Sequence, residues 1–371
     1  MDTVDTTRPA VSTRNRPFHT LTVAAVEALC DDAAAVTFEI PADLSGGEFA
    51  FGAGQSLTLR RTVDGVEHRR SYSICAPIGS TPRIGVREVT DGLFSNWLVH
   101  QVRRGGDRID VQPPPSGSFV ADPAAGGRHV LIAAGSGITP PMLSIAATML
   151  VNPETEVVLL YGNRHTRSVM FAEEIADLKD RYGARFHVVH VLSREPREVE
   201  LFSGRLDADR LRAIFGAVVP IAGVDHFWLC GPYGMVTDAE FVLGELGVDP
   251  KRVRQELFYV DDVPPHPPRH VTVTRGVTGP SSEVTLVLDG RSTTATLPRN
   301  ETILDAAESY RSDLPFACKG GVCGTCRAKV THGDVDMRRN YALEDYEVDA
   351  GFVLTCQSYP DSGDVTVDFD A

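Results

Sequence analysis

The sequence predicts a multidomain protein in which an antiparallel β-barrel is followed by an α/β domain with a parallel sheet and then by a small α+β domain. At 371 residues the chain has room for two to four cores, on a scale of roughly 100 to 200 residues per domain. Short strands separated by turns fill its first third, and buried-type strands alternating with helical periods follow. Beyond a proline-rich break, Cys318, Cys323, Cys326 and Cys356 gather four of the seven cysteines into one stretch. The net charge of -14 repels phosphate backbones and anionic lipid, which disfavours nonspecific nucleic-acid binding. No apolar run approaches the roughly 18 residues of a membrane span.

Residues 1–17 carry Arg8, Arg14 and Arg16 but no apolar block, so they read as a disordered leader of a cytoplasmic protein rather than a secretory signal. The barrel is expected over residues 18–122, with strands Leu21–Val26, Ala35–Ile40, Gln55–Val63, His68–Ala76, Arg83–Val89 and Arg108–Gln112. Residues 126–260 should form the α/β domain. Its strands are His129–Ala134, Glu156–Tyr161, Arg185–Leu192, His226–Cys230 and Val253–Phe258, with helices near Pro141–Leu150, Phe171–Tyr182, Asp207–Phe215 and Tyr233–Leu246. The prolines of residues 261–270 favour a stiff, extended linker. Residues 271–371 then supply strands Val271–Thr274, Glu283–Leu288, Thr293–Leu297, Arg327–Thr331, Phe352–Cys356 and Asp364–Phe369, with a helix at Thr302–Tyr310.

The cysteines are the most specific signal. Cys318, Cys323 and Cys326 are separated by four and then two residues, with Cys356 distant, which is the plant-type [2Fe-2S] spacing. Thiolates must reach two irons from several directions, so three come from a tight glycine-bearing loop and one from a separate strand. Zinc is the rival, but it usually takes paired C-x2-C knuckles, and only one such pair is present. A secreted disulfide framework would need a smaller, denser chain. Residues 269–371 resemble a plant-type ferredoxin fused to the end of a reductase, which implies a β-grasp α+β fold.

Arg70-Ser71-Tyr72-Ser73 resembles the R-x-Y-S motif of the ferredoxin-NADP reductase superfamily. That resemblance assigns Arg70 to flavin phosphate, Tyr72 to the flavin ring and Ser73 to the neighbourhood of its hydride-accepting nitrogen, with Ser71 between them. A guanidinium fork, an aromatic face and a hydroxyl suit those tasks. Gly92, Phe94 and Ser95 belong to a glycine turn opening a short helix, whose free amides suit a pyrophosphate. In the superfamily this motif serves mainly FAD, after a flavin-lining strand like the one carrying Arg87 and Val89. Residues 115–119, Pro-Ser-Gly-Ser-Phe, resemble the barrel exit.

Gly135-Ser136-Gly137-Ile138-Thr139-Pro140 follows a predicted strand and precedes a helix, so Gly135, Gly137 and Thr139 are candidates for a nucleotide phosphate site. Pro140 replaces the third glycine of the dinucleotide fingerprint, a departure that matches the reductase superfamily. By the same resemblance Cys230-Gly231-Pro232 places Cys230 beside the nicotinamide, with Gly231 in the nucleotide site. Arg164, Ser193, Arg194 and Arg205 follow strand ends, where cationic forks and a hydroxyl suit a 2'-phosphate and favour NADPH over NADH. Phe258 or Tyr259 is expected near the flavin face. Ser73 and Cys230 are therefore the candidate catalytic residues.

The whole order of motifs resembles reductase components of bacterial oxygenases, implying electron flow from NADPH through FAD and the cluster to an oxygenase. Tyr161-Gly162-Asn163-Arg164, Ser168-Val169-Met170-Phe171 and residues 335–343 resemble the reductase subunits of phenylacetyl-CoA epoxidases in phenylacetate catabolism. The 3-ketosteroid 9α-hydroxylase reductases and other ring-hydroxylase reductases share the domain order. An electron-transfer module without a dedicated oxygenase is the remaining reading.

Overall fold

The structure is a computed structural model and describes residues 16–45, 47–103, 106–114, 121–139, 141–257, 280–343 and 345–371. Most of the expected leader, the linker at 261–270, the strand at 271–274, the 115–119 motif, Pro140, Phe258 and Tyr259 lie outside the described residues. The chain divides into two compact units after Pro268.

The first unit begins with β1 (His19–Cys30), β2 (Ala33–Glu39), α1 (Ala42–Ser45), β3 (Ser56–Val63), β4 (Val66–Ser73), β5 (Arg83–Arg87), α2 (Ser95–His100) and β6 (Arg108–Gln112). The strands lie in the order β4-β3-β6-β1-β2-β5, with every neighbour antiparallel. The two edge strands meet where Ile74 bridges Ile84 and the Cys75 amide donates to the Arg83 carbonyl at 2.8 Å. Edges are thereby closed as in a barrel. Val23, Val36, Phe38, Leu57, Leu59 and Ile84 are buried within it.

The same unit continues with β7 (Gly127–Ala134), α3 (Pro141–Met149), β8 (Thr155–Asn163), α4 (Ala172–Tyr182), β9 (Phe186–Leu192), α5 (Ala208–Ala217), β10 (His226–Gly231), α6 (Tyr233–Glu245) and β11 (Val253–Leu257). The order is β11-β10-β7-β8-β9 and all pairs are parallel. Interior strand β8 is buried at nearly every position, as a sheet covered on both faces demands. In α4, Ile175 and Leu178 turn inward, acidic Glu173 and Glu174 open the helix, and Lys179 near its end donates to the Gly183 carbonyl at 2.8 Å. The apolar core runs from barrel residues Ala33, Ala35 and Cys75 to Leu131, Ile138 and Phe171 of the α/β part.

The second unit contains β12 (Ser281–Leu288), β13 (Arg291–Pro298), α7 (Ile303–Ala307), β14 (Arg327–His332), β15 (Val335–Met337), α8 (Asp345–Asp349), β16 (Phe352–Leu354), β17 (Ser358–Pro360) and β18 (Asp364–Asp368). Its main sheet has the order β13-β12-β18-β14-β16, with β12 and β18 parallel, while β15 and β17 pair separately. Helix α7 is shorter than the sequence pattern suggests. Thr302 caps its start by accepting from the Asp305 amide at 3.2 Å, and Glu308 beyond its end binds Lys319.

Candidate functional site

The flavin candidates come first in the chain. On β4, alternation puts Arg70 and Tyr72 on one face, opposite Leu59 and Leu57 of β3. Ser71 and Thr58 exchange a hydroxyl hydrogen bond at 3.2 Å, and Ser73 ends the strand, buried. Tyr72 lies 6.1 Å from the Phe94 ring, which in turn meets Trp97 edge-on at 5.6 Å. Burial pushes the Tyr72 phenol above its usual range, with the Arg70 charge opposing, so it remains a neutral aromatic face.

The turn before α2 depends on Gly92. A Cβ there would stand 2.8 Å from the Val89 carbonyl and 2.5 Å from the Ser95 hydroxyl. The Gly92 amide donates to that carbonyl at 2.8 Å, and the Val89 amide donates to Ser95 Oγ at 3.1 Å. Ser95 thus holds the turn's own backbone. Val89 is exposed at the turn, whereas the Arg87 side chain is turned to Asp32 and the Ser168 carbonyl.

On the α/β side, Gly135–Ile138 form a single 3-10 turn between β7 and α3. Gly137 is required by close approach, since a Cβ would stand 2.1 Å from the Cys230 carbonyl oxygen. Tyr161 donates from its hydroxyl to the Gly135 carbonyl at 3.1 Å, and the Thr139 hydroxyl donates to the Ser136 carbonyl. The turn is therefore pinned from β8 and closed on itself at the carboxyl ends of the strands, where ligands bind in open parallel sheets.

Cys230, fully buried on β10, lies between Ala133 of β7 and Glu256 of β11, with Gly231 next in chain. Burial, and then the Glu256 charge, push its thiol well above the usual range. Burial raises the Glu256 carboxyl from 4.5 to about 8. Part of the residue reaches the surface, but Oε2 is screened from solvent and has no hydrogen-bond partner among the described residues. No motif in the sequence assigns Glu256 a role. The available signal was an acidic residue near the carboxyl end of a parallel strand.

The 2'-phosphate candidates are brought together by backbone pairing. Ser193 and Arg194 donate their amides to the carbonyls of Asn163 and Arg164, at 2.8 and 2.9 Å. Ser203 bridges Leu192 in parallel, and Gly204 donates to the Leu192 carbonyl at 2.9 Å. Arg205 follows directly on this bridge, and both it and Arg194 are exposed. Arg164 joins them through its backbone, while its guanidinium is held by Asp32.

In the second unit the four thiols form two neighbouring pairs, Cys318 with Cys323 and Cys326 with Cys356. Cys318 is drawn below the usual thiol range by the Cys323 hydrogen bond, against burial, and by the amides of Gly320, Val322 and Cys323. Cys323 is pushed up by Cys318 and by burial, and Cys356 by Cys326 and by burial. Two pairs suit two irons with two thiolates each, and amides aimed at sulfur suit a cluster's thiolates. Lys319 Nζ ties the loop to Asp305 at 2.9 Å and to Glu308, while Gln357 Nε2 donates to the Lys319 carbonyl at 2.9 Å.

Two family models match: the 2Fe-2S iron-sulfur cluster binding domain over residues 286–361 and the oxidoreductase NAD-binding domain over residues 131–240. The chain is 40% identical to a subunit of the 1,2-phenylacetyl-CoA epoxidase of Escherichia coli, covering 95% of this chain and 98% of that protein. The chain belongs to the oxygenase reductase family. The ferredoxin reductase component of a 3-ketosteroid-9-alpha-monooxygenase from Rhodococcus rhodochrous is 32% identical, covering 94% of this chain and 96% of that one. Phthalate dioxygenase reductase shares the fold, with a TM-score of 0.59 at 23% identity over 95% of this chain and 98% of that one. As a member of this family, the chain is an oxidoreductase that passes electrons from NAD(P)H to a [2Fe-2S] cluster and on to a separate oxygenase component. No helix among the described residues is long and apolar enough to cross a membrane.

Proposed function

We propose that the chain is the NADPH-dependent reductase subunit of a phenylacetyl-CoA epoxidase, acting in the cytoplasm in phenylacetate degradation. The observation that carries this is the 40% identity along nearly the full length of a phenylacetyl-CoA epoxidase subunit, against 32% for the 3-ketosteroid reductase. The domains are assigned as 18–122 for FAD, 126–260 for NADPH and 271–371 for the cluster, with 261–270 as linker. Arg70, Tyr72 and the Gly92–Ser95 turn hold the flavin. Gly135–Thr139 and Gly231 hold the nucleotide phosphates, while Ser193, Arg194 and Arg205 read the 2'-phosphate. Ser73 and Cys230 flank the hydride route.

FAD held by Arg70, Tyr72 and the Gly92–Ser95 turn would supply the exchange between a two-electron hydride and single electrons that a one-electron cluster requires. The protein's share is to orient the ring against Tyr72, to keep a dry wall around Cys230, and to hold a proton on Glu256 below about pH 8. Cys318, Cys323, Cys326 and Cys356 are the cluster ligands.

Reconstitution tests the reading. The purified protein with a phenylacetyl-CoA epoxidase oxygenase should couple NADPH oxidation to turnover of phenylacetyl-CoA. Coupling to a 3-ketosteroid 9α-hydroxylase and not to the epoxidase would transfer the assignment to the second reading, which the shared full-length span of those relatives supports.

A further inference from the structure

Asp32 occupies the turn between β1 and β2, and its carboxylate collects two guanidinium groups from different parts of the unit. Arg87 of β5 donates from Nε to Oδ1 at 3.0 Å, and Arg164, just past β8, donates from Nη2 to Oδ2. Arg87 Nη2 also donates to the Ser168 carbonyl at 2.6 Å. The Glu88 amide donates to the Asp32 carbonyl at 2.8 Å, so backbone and side chain together hold β5 to this turn. Cys30 Sγ completes the group, donating to Oδ1 at 3.3 Å. The Asp32 and Arg87 side chains are only 25% and 14% exposed, so little water competes for their contact. Burial opposes ionisation of Asp32, but the Arg87 charge and the hydrogen bonds from Cys30, Arg87 and Arg164 outweigh it and hold the carboxyl below its usual range.

These residues join the two halves of the reaction site. β5 leads into the Gly92 turn of the flavin site, while Arg164 and Ser168 follow the strand whose Tyr161 pins Gly135. A Cβ on Gly135 would stand 3.1 Å from Arg87 Nη1, so the guanidinium also borders the nucleotide turn. We propose that Asp32 is a positioning residue for hydride transfer, setting the separation of the flavin strand and the nucleotide loops by binding Arg87 and Arg164 at once. This rests on the reading of that crevice as the route from NADPH to flavin. In the transfer a C–H bond of the nicotinamide breaks and its hydrogen leaves with both electrons, so NADPH is oxidised to NADP+ and the flavin is reduced. The reacting atoms must approach to about 3 to 3.5 Å, and a misplacement of about 1 Å can cost about a hundredfold in rate. Asp32 touches neither reactant. Its hold on Arg164 also leaves the 2'-phosphate chiefly to Arg194 and Arg205.

The test is stopped-flow reduction of the flavin in the holoprotein with NADPH, separating the saturated rate from the concentration giving half of it. Asp32→Asn keeps the shape and removes the charge. It should lower the saturated rate by about tenfold to a hundredfold, with half-saturation moved by less than about twofold, and Asp32→Glu, which keeps the charge on a longer arm, should keep more of the rate than Asp32→Asn. If Asp32→Asn does not retain FAD, Arg164→Ala removes one arm from the exposed side and should also lower the saturated rate, whatever it does to half-saturation. Saturated rates equal to the parent's in every variant that retains FAD, or slowing that excess NADPH abolishes, would overturn the proposal. A parent flavin that neither NADPH nor NADH reduces would overturn both this proposal and the function it rests on.

Discussion

Glu256→Gln should remove a pH dependence of stability that the parent protein carries. The carboxyl is raised from 4.5 to about 8 by burial, and Oε2 has no hydrogen-bond partner among the described residues. In the folded protein it keeps its proton up to about pH 8, whereas in the unfolded chain it loses it near 4.5. The unfolded state therefore binds fewer protons across that window, and stability falls as pH rises through it. At about 1.36 kcal/mol per unit, the limiting effect over the whole window is about 5 kcal/mol, reduced by whatever solvent reaches the exposed part of the residue. Between pH 5.5 and 7.5 the parent should lose up to about 2.7 kcal/mol relative to Glu256→Gln. For a unit of this size that is a melting difference of about 5 to 10 °C. Melting both holoproteins at half-unit pH steps and plotting the difference in Tm tests this. A difference constant from pH 5 to 8 would refute the reasoning, because an uncharged amide and a carboxyl with ordinary ionisation both lack this window.

Three further outcomes are expected. Cys326→Ser should abolish reduction of a one-electron acceptor protein while NADPH-driven flavin reduction continues, and equal loss of both would show that the carriers do not act in series. Arg194→Ala with Arg205→Ala should erase an NADPH preference of at least about tenfold, mainly through KM, since losing charge-assisted contacts costs about 1.5 to 3 kcal/mol. Steady-state kinetics with both nucleotides would read this, and equal use of the two by the parent would remove the assignment. Oxygenase-coupled NADPH oxidation should weaken as salt rises, because residues 269–371 carry 16 acidic against 10 basic side chains and charge steering is screened beyond about 8 Å at physiological ionic strength. Asp345→Asn with Asp349→Asn should slow that coupling and leave reduction of a small dye unchanged. Glu347 is the wrong target there, since it is ion-paired to Arg327 at 2.9 Å.

Local pattern accounts for what is legible in the sequence. The barrel strands, the alternating strands and helices of the parallel sheet and the cysteine loop are each written in a contiguous stretch. Gly92 and Gly137 are equally legible, because the backbone approach that excludes a Cβ recurs wherever such a turn is built. What stays hidden depends on residues far apart in the chain that meet only after folding. Asp32 looks like an ordinary turn residue until β5 and the β8 loop both present arginines to it, 55 and 132 positions away. Glu256 looks like a surface acid on a short strand until β10 sets Cys230 beside it. Judged by motif alone, Arg87 belongs to the flavin and Arg164 to the phosphate, but their guanidinium groups meet on one carboxylate. A motif can identify the turn that approaches a ligand, whereas on the proposal above the distance between two such turns depends on Asp32, which belongs to neither motif and joins an arginine from each. Hydride transfer is sensitive to that distance, so on this proposal a residue hardly visible in the sequence bears directly on its rate.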